Sequence, residues 1–414
     1  MEFLVFFFIS SFTIFTDFYF IIPELTFSNI SLLLIFFLFF MHKKEINDFH
    51  QTFSKEEQVN LKNILKISFV FIFAVFIINL IHKVSIVYSI KTVLIQSSIT
   101  LSLPFINFLY YKKNINFMKF INIVIFIHFF FIILQLLGLT VNLTSIFPSN
   151  FIIGIYETNQ FNKEALRVTG AINNPITLAQ QFLAFICISL VRYINQKNLH
   201  NLLILSICVL TLLFTQSRSA IFGFIPIMYF SSFIFLKFNI KKLSYLIIIS
   251  FLSYYLYNIF LSDLQSMFAY TFQDMSLSST HRLWTNLYIS QGVLKESPLI
   301  GIPANLAWNI FDQYKDINYN IYLYNRAETP THHNQIFFYL RYYGLVGLSI
   351  LIFFYYRLFK TIKDIPNKNI SFLLGSILLL DLFFSFTHNN KIFSPMLWIY
   401  LSLIFNSRNF KNNL

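Results

Sequence analysis

Charge is what this sequence has least of. Asp, Glu, Lys and Arg make up only 11% of its 414 residues, against roughly a quarter in an ordinary globular chain. So few ionised groups do not clothe a water-facing surface of this size, which excludes a soluble globular protein. Cysteine is nearly absent. Cys187 and Cys208 each lie inside an apolar run, so there is no disulfide framework and no zinc ligand set, and both read as packing residues. No His, Asp and Glu set has metal spacing, and neither a phosphate-cradling glycine loop nor a nucleophile elbow occurs. The N-terminus, MEFLVFFFISSF, lacks a basic leader and a small-residue cleavage site, and reads as a retained first span. Internal repeats are missing and mid-span charges are sparse, which argues against a polytopic transporter.

What the chain has in abundance is hydrocarbon: 57% hydrophobic residues, 20% aromatic ones and a mean hydropathy of +0.65. Long apolar runs predict about twelve spans: Phe3 to Ile22, Leu25 to Met41, Ile64 to Ile81, Ile86 to Tyr110, Phe120 to Val141, Pro175 to Leu190, Leu202 to Phe214, Ala220 to Leu236, Leu243 to Leu261, Ile336 to Phe354, Ile370 to Phe386 and Ile392 to Phe405. Nothing alternates at strand period over the lengths a barrel needs, so the spans read as helices, whose backbone bonds close within each segment. The fold class expected is an all-α integral membrane protein, one polytopic domain over residues 1–414.

The formal net charge of +13 is a topology signal, not a sign of a nucleic-acid partner. Basic residues fall in every second connection: Lys43, Lys44, Lys55 and Lys62; Lys112, Lys113 and Lys119; Arg192 and Lys197; Lys237, Lys241 and Lys242; Arg357, Lys360, Lys363 and Lys368; Arg408 and Lys411. The positive-inside rule places these connections and both termini in the cytoplasm. Residues 142–174 form one outer loop, and residues 262–335, between the ninth and tenth spans, form a larger one that caps the outer face. In that cap Gly292, Pro298, Gly301 and Pro303 read as turn points. A short amphipathic helix from Arg282 to Lys295 would turn Trp284, Leu287 and Val293 towards lipid or protein.

Basic residues on the outer face break the charge bias and carry the chemical argument. Arg218, in FTQSRSAIFG, sits in a tight turn between two spans, where an arginine is costly unless it is paired or faces a wet cavity. The competing reading is a side chain that snorkels to head-group phosphates. Arg167 lies in LRVTGAINNPITLAQ, where the turn at Gly170 and a helix start near Pro175 suit an anion such as phosphate; pairing with Glu157 or Glu164 is as open. Arg282, in THRLW, is weaker alone. In THHNQIFFYLRYYGLVG, His333 and Asn334 stand where the large loop re-enters the bilayer, beside His332. Histidine moves protons near neutral pH. Gly344 and Gly347, three apart, would lie on one helix face and permit close helix packing. Asp381 is an intramembrane carboxylate expected to form a structural ion pair with Arg218 or Arg341. His128, in mid-span, reads as a histidine satisfied inside the bundle.

These strings resemble the O-antigen polymerase and O-antigen ligase superfamily of bacterial envelope glycosyltransferases. LRVTGAINNPITLA looks like the family's arginine, glycine, Asn-Pro segment, and TQSRSAIFG like its Ser-Arg turn. RLWTNLYISQGVLKESPLIGIP is similar to the element of the large loop that runs from arginine and tryptophan to Pro-Leu-x-Gly. HNQIFFYLRYYGLVG matches a His-Asn, nine residues, Gly-x-x-Gly pattern associated above all with the ligases. The likeness covers about residues 160 to 350, in family order. Arg341 stands where family members often have an acidic residue, and Gly-Ile-Pro replaces Gly-x-Gly after Pro-Leu.

The resemblance implies a GT-C-like bundle in the bacterial inner membrane and a metal-independent, inverting glycosyl transfer without a cofactor. The donor is a glycan on undecaprenyl pyrophosphate, and the acceptor a lipid-linked repeat unit or lipid A-core. It further implies His333 as general base, Arg218 and Arg282 as catalytic contacts of the pyrophosphate, and Arg167 as a third contact. Asn334, His332, Gly170, Gly344 and Gly347 support them. Membrane lipids and a chain-length regulator are the further partners expected, and nucleic acid is not one. A polymerase is the reading adopted, a ligase its alternative, and a flippase for the same lipid-linked units the reading from another class.

Overall fold

The computed structural model describes residues 7–11, 27–112, 117–137, 139, 141–142, 152–153, 156–160, 163–172, 175–215, 217–235, 275–314, 334–365, 367–387 and 401. Over these the chain is almost wholly helical. The helices are α1 (Phe27–Met41), α2 (Lys43–Gln51), α3 (Lys55–Ile81), α4 (Ile86–Lys112), α5 (Phe117–Leu136), α6 (Pro175–Asn195), α7 (Leu199–Phe214), α8 (Arg218–Phe235), α9 (Met275–Glu296), α10 (Ala307–Tyr314), α11 (Gln335–Lys363) and α12 (Lys368–Thr387). Two short antiparallel strand pairs lie between α5 and α6: β1 (Val141–Asn142) with β2 (Ile152–Ile153), and β3 (Tyr156–Gln160) with β4 (Lys163–Arg167). Among the described residues five helices are long and apolar enough to cross a bilayer: α3, α4, α5, α6 and α11. The predicted spans at Leu243 to Leu261 and Ile392 to Phe405, and most of Phe3 to Ile22, lie outside the described residues.

Burial separates central helices from peripheral ones. The most apolar stretch of α4 is 72% buried and that of α6 67%, against 39% for α3 and α5. In α3, Phe71, Ile72, Val75 and Ile78 face the bundle, while Phe69, Phe73, Ile77 and Ile81 repeat every fourth residue on the exposed side. A helix apolar all round is one whose solvent is hydrocarbon. The central helix α4 instead buries Ser89, Ser98, Thr100, Ser102 and Asn107. Its hydroxyls turn back to their own helix, as Ser98 does to the Leu94 carbonyl at 2.7 Å. Packing runs continuously from α1 and α2 onto α4, from α4 through α3 to α11, and through α12 to α6, α7 and α5.

Side-chain bonds define one end of the bundle. Arg192 at the end of α6 donates to Asn122 near the start of α5 at 2.9 Å, and Asn369 at the start of α12 donates to Asn195 at 2.7 Å. Helix α2, a loop in the sequence reading, folds because Ile46 and Phe49 share one face and bury against the bundle. Ser54 then starts α3 with a capping box, its hydroxyl accepting from the Glu57 amide while Glu57 accepts from the Ser54 amide. α3 therefore begins nine residues before the apolar run that announced it. Similarly, α5 ends at Leu136, and Val141, expected at the end of that span, stands in β1.

The large loop is partly helical. α9 covers the amphipathic helix expected from Arg282 to Lys295 and exceeds it at both ends. Val293 is wholly buried and Leu287 is 39% exposed. Gly292 is no turn point. It lies within α9, where a Cβ would strike Ile310 of α10, so the glycine sets how closely the two helices approach. Ile289, Val293, Ile302, Ile310 and Phe311 make a small core of their own.

His50 lines a cavity of about 370 Å³ between α1, α2, α3 and α4, with Phe39, Leu61, Lys62 and Pro104. Burial pushes its imidazole down to about 4, and a bond to the Ile46 carbonyl opposes that shift. The folded state thus keeps His50 neutral where the unfolded chain, at about 6.5, takes up a proton. Stability should be unaffected by this residue above pH 6.5 and should fall as pH drops from 6.5 towards 4. Thermal unfolding in detergent across that window should show a shallower fall for His50→Gln than for wild type; parallel curves would refute the assignment.

Candidate functional site

At the end of the bundle away from Arg192 and Asn369, two assemblies gather most of the motif residues. The first is built by α5. Gln135, in its last turn, is buried and makes four bonds to the loop after β4. Its Oε1 accepts from the amides of Thr169 at 3.0 Å and Gly170 at 3.1 Å, while Nε2 donates to the Thr169 hydroxyl at 3.0 Å and the Gly170 carbonyl at 2.9 Å. Two turns earlier His128, also buried, accepts the Ala171 amide at Nδ1, 3.2 Å away, so its ring proton belongs on Nε2. Phe182 meets the ring edge-on. Gly170 sits at φ +59, and a Cβ there would stand 2.9 Å from His128 Nδ1. Glycine is thus required twice, for its backbone angle and for its lack of a side chain.

The clamped loop then reaches α7. The Val168 amide meets the Phe214 carbonyl at the end of α7 at 3.5 Å. Thr215 and Ser217 carry the chain through a tight turn, the Ser217 amide donating to the Thr215 hydroxyl at 3.3 Å, and Arg218 opens α8. Two predicted site residues flank this junction in the chain: Arg167 ends β4 one residue before Val168, and Arg218 begins α8 four residues after Phe214. Along β3 and β4, Arg167 is in register with Tyr156, and Glu157 with Leu166.

The second assembly is the start of α11. Asn334 is its N-cap, with Oδ1 accepting from the amides of Ile336 at 2.9 Å and Phe337 at 3.2 Å. A predicted supporting residue is therefore first a structural one, the cap that starts α11. His332 and His333 lie outside the described residues. Arg282 is placed by its backbone in α9, at helical spacing from the buried Asn286, Ile289 and Val293.

The pair Gly344 and Gly347 acts otherwise than expected. Gly344 is not helical; at φ 61 and ψ −157 it breaks α11. Into the break fits the segment Pro298–Ile302. The Leu345 amide donates to the Pro298 carbonyl at 2.8 Å, the Val346 amide to the Leu299 carbonyl at 3.2 Å, and the Ile302 amide to the Arg341 carbonyl at 2.7 Å. A Cβ on Gly344 would strike the Leu299 carbonyl, and one on Gly301, at φ +74, the Arg341 carbonyl. The close partner is thus a turn of the large loop, closed by the Gly301 amide on the Ser297 carbonyl at 3.0 Å, not another helix. On its far side the Gly301 carbonyl meets Nε2 of His82, which caps the end of α3, at 3.3 Å. Burial pushes the His82 imidazole below its usual value, and the bond to Gly301 opposes part of that shift.

Asp381 has a partner on a neighbouring helix: its carboxylate accepts from the Tyr355 hydroxyl at 2.7 Å. Among the described residues Asp381 and Arg341 form no ion pair within 4 Å; the side chain of Arg218, the other expected partner, lies outside them. Arg341 is fully buried and stacks over the Tyr342 ring at 4.7 Å. Gln135 and His82 escaped the sequence reading. A lone amide in the run FFFIILQLLG was the available signal for Gln135; nothing local marked His82. Compared with known proteins, the chain matches no protein-family model and no curated protein.

Two substitutions check this geometry. Gln135→Leu leaves two amides and a carbonyl unpartnered in the interior, so it should cost about 3 kcal/mol or more. Gly344→Ala combines a backbone angle that L side chains avoid with a collision at Leu299 and should cost about 2 kcal/mol or more. Both are read from the unfolding midpoint of the purified protein; an unchanged midpoint for either would refute the corresponding contact.

Proposed function

We propose that this chain is a membrane-embedded glycosyltransferase that polymerises surface polysaccharide. It takes the growing glycan from undecaprenyl pyrophosphate and joins it to a lipid-linked repeat unit at the outer face of the bacterial inner membrane. The proposal includes a GT-C-like bundle of about twelve spans, with the basic end and both termini in the cytoplasm. The observation that carries it is the backbone lock between Pro298–Ile302 and the Gly344 break. Two motifs of the resemblance, more than forty residues apart in the chain, meet there as one built object. The Val168 to Phe214 junction does the same for the motifs bearing Arg167 and Arg218.

In this reading an acceptor hydroxyl attacks the anomeric carbon of the donor. The new C–O bond forms as the bond to the pyrophosphate oxygen breaks, the hydroxyl proton passes to His333, and undecaprenyl pyrophosphate leaves. Negative charge grows on that leaving group, and fixed guanidinium groups stabilise it more in the transition state than in the ground state. Arg167, Arg218 and Arg282 have that role. A single displacement inverts the anomeric centre. Activation is stored in the donor's own pyrophosphate bond. The ligase reading, transfer to lipid A-core, shares every step but the acceptor and is favoured by the spacing from His333 and Asn334 to Gly344.

The test is a gel profile of surface polysaccharide, with lipid-linked glycans extracted in parallel, from cells lacking the gene and from cells complemented with wild type, His333→Ala or Arg218→Ala. A ladder that collapses to core bearing one repeat unit supports the polymerase. Bare core with long polymer stranded on undecaprenyl pyrophosphate makes the chain a ligase, and single repeat units held on the inner leaflet make it a flippase. Each substitution should lower polymer output by about a hundredfold or more; full complementation by His333→Ala removes it as the base.

A further inference from the structure

The first residue of α11 is an anomaly. Gln335 is 1% exposed, yet among the described residues neither Oε1 nor Nε2 of its amide has a hydrogen-bond partner. Gln96 and Gln181 each leave only Oε1 in that state. A buried amide with nothing to bond is costly, and such a group in a native structure calls for an explanation. An apolar residue of the same length would avoid the cost.

Its position narrows the task. Gln335 follows the Asn334 cap and stands two residues from His333. Asn334 already occupies the amides of Ile336 and Phe337, so this helix start is not held open for phosphate. What it presents is a neutral group with a donor and an acceptor side by side. One turn on begins a run of aromatic rings: the half-buried Phe338 lies 4.7 Å from Tyr342, while Tyr339 and Tyr343 pack on Phe71 of α3. A hydroxyl that both gives and takes a hydrogen bond, on a ring whose C–H face packs on aromatics, complements that set. A pyranose has that chemistry; a pyrophosphate, which only accepts, does not.

We infer that Gln335 is a sugar-binding residue of the acceptor side, its amide exchanging hydrogen bonds with a hydroxyl of the acceptor sugar next to the one that attacks. This rests on the glycosyltransferase reading above and adds to it a division of labour: Arg167, Arg218 and Arg282 hold the donor's phosphates, and the start of α11 holds the acceptor's sugar.

The test uses Gln335→Met, which keeps length and volume and removes the polar atoms, in the full-length protein expressed in cells lacking the gene. The variant should accumulate in the membrane as wild type does and unfold at the same or a higher temperature, because it loses an unpartnered amide. Polymer output on the same gel profile should fall by about tenfold or more. Gln335→Glu, which keeps the acceptor and loses the donor, should fall between. Wild-type polymer from a stable Met variant overturns the inference, and so does a lowered midpoint, since an amide that only holds the fold together must have partners. If deleting the gene leaves the glycan profile unchanged, the glycosyltransferase reading itself fails and the inference falls with it.

Discussion

Buried backbone groups have no water to turn to, and the break at Gly344, within a helix long and apolar enough to cross a bilayer, shows how this chain meets that constraint. A helix interrupted at φ 61 frees amides on one side and carbonyls on the other. Here Pro298, Leu299 and Ile302 take them up, so a turn of the large loop replaces the missing helical bonds. That turn holds its place only because Gly301 and Gly344 have no side chains. Everything near the start of α11 inherits its position from this contact: the Asn334 cap, the Gln335 amide, the aromatic run behind it, and the α9–α10 hairpin with its own small core.

The same rule governs the other assembly. The loop between β4 and α6 runs through the interior without a helix to satisfy it. Side chains of α5 do so instead, Gln135 with four bonds and His128 with one. His128 is spent on structure, which removes it from any list of proton carriers. Irregular backbone at depth is tolerated where protein buries it or where it lines a polar cavity. Both irregular segments lie at one end of the bundle, and both carry the motifs on which the functional reading depends. The rest of the molecule, from the lipid-facing stripe of α3 to the buried hydroxyls of α4, is a scaffold that places them.

Much of the fold was legible beforehand because hydrocarbon is a strict solvent. The runs at Ile86, Pro175, Ala220 and Ile370 announced α4, α6, α8 and α12 almost to the residue at their starts. Failures came where polar residues continue a helix beyond the apolar run, as at Lys55, or where an amphipathic segment folds against the bundle, as in α2. They also came at glycine. In sequence, Gly344 and Gly347 are a pair three apart on one face; in space the first is a break, because a turn of the large loop docks there. Asp381 adds a contact of the same long-range kind: its carboxylate was visible in the sequence, but the Tyr355 hydroxyl that bonds it lies on a neighbouring helix that no local pattern indicates.

The amino-acid sequence by itself determined that this chain has stretches long and apolar enough to cross a membrane, that its elements are helices, and which short strings carry arginine, histidine and glycine out of the apolar pattern. Those properties follow from side-chain transfer energies and local backbone freedom, which each residue carries with it. Tertiary structure alone decided that Pro298–Ile302 fills the gap at Gly344, that Gln135 and His128 hold the Gly170 loop, and that Gln335 is buried with its amide unpaired. Each depends on two segments far apart in the chain meeting at hydrogen-bond distance, and no periodicity along one segment records the other.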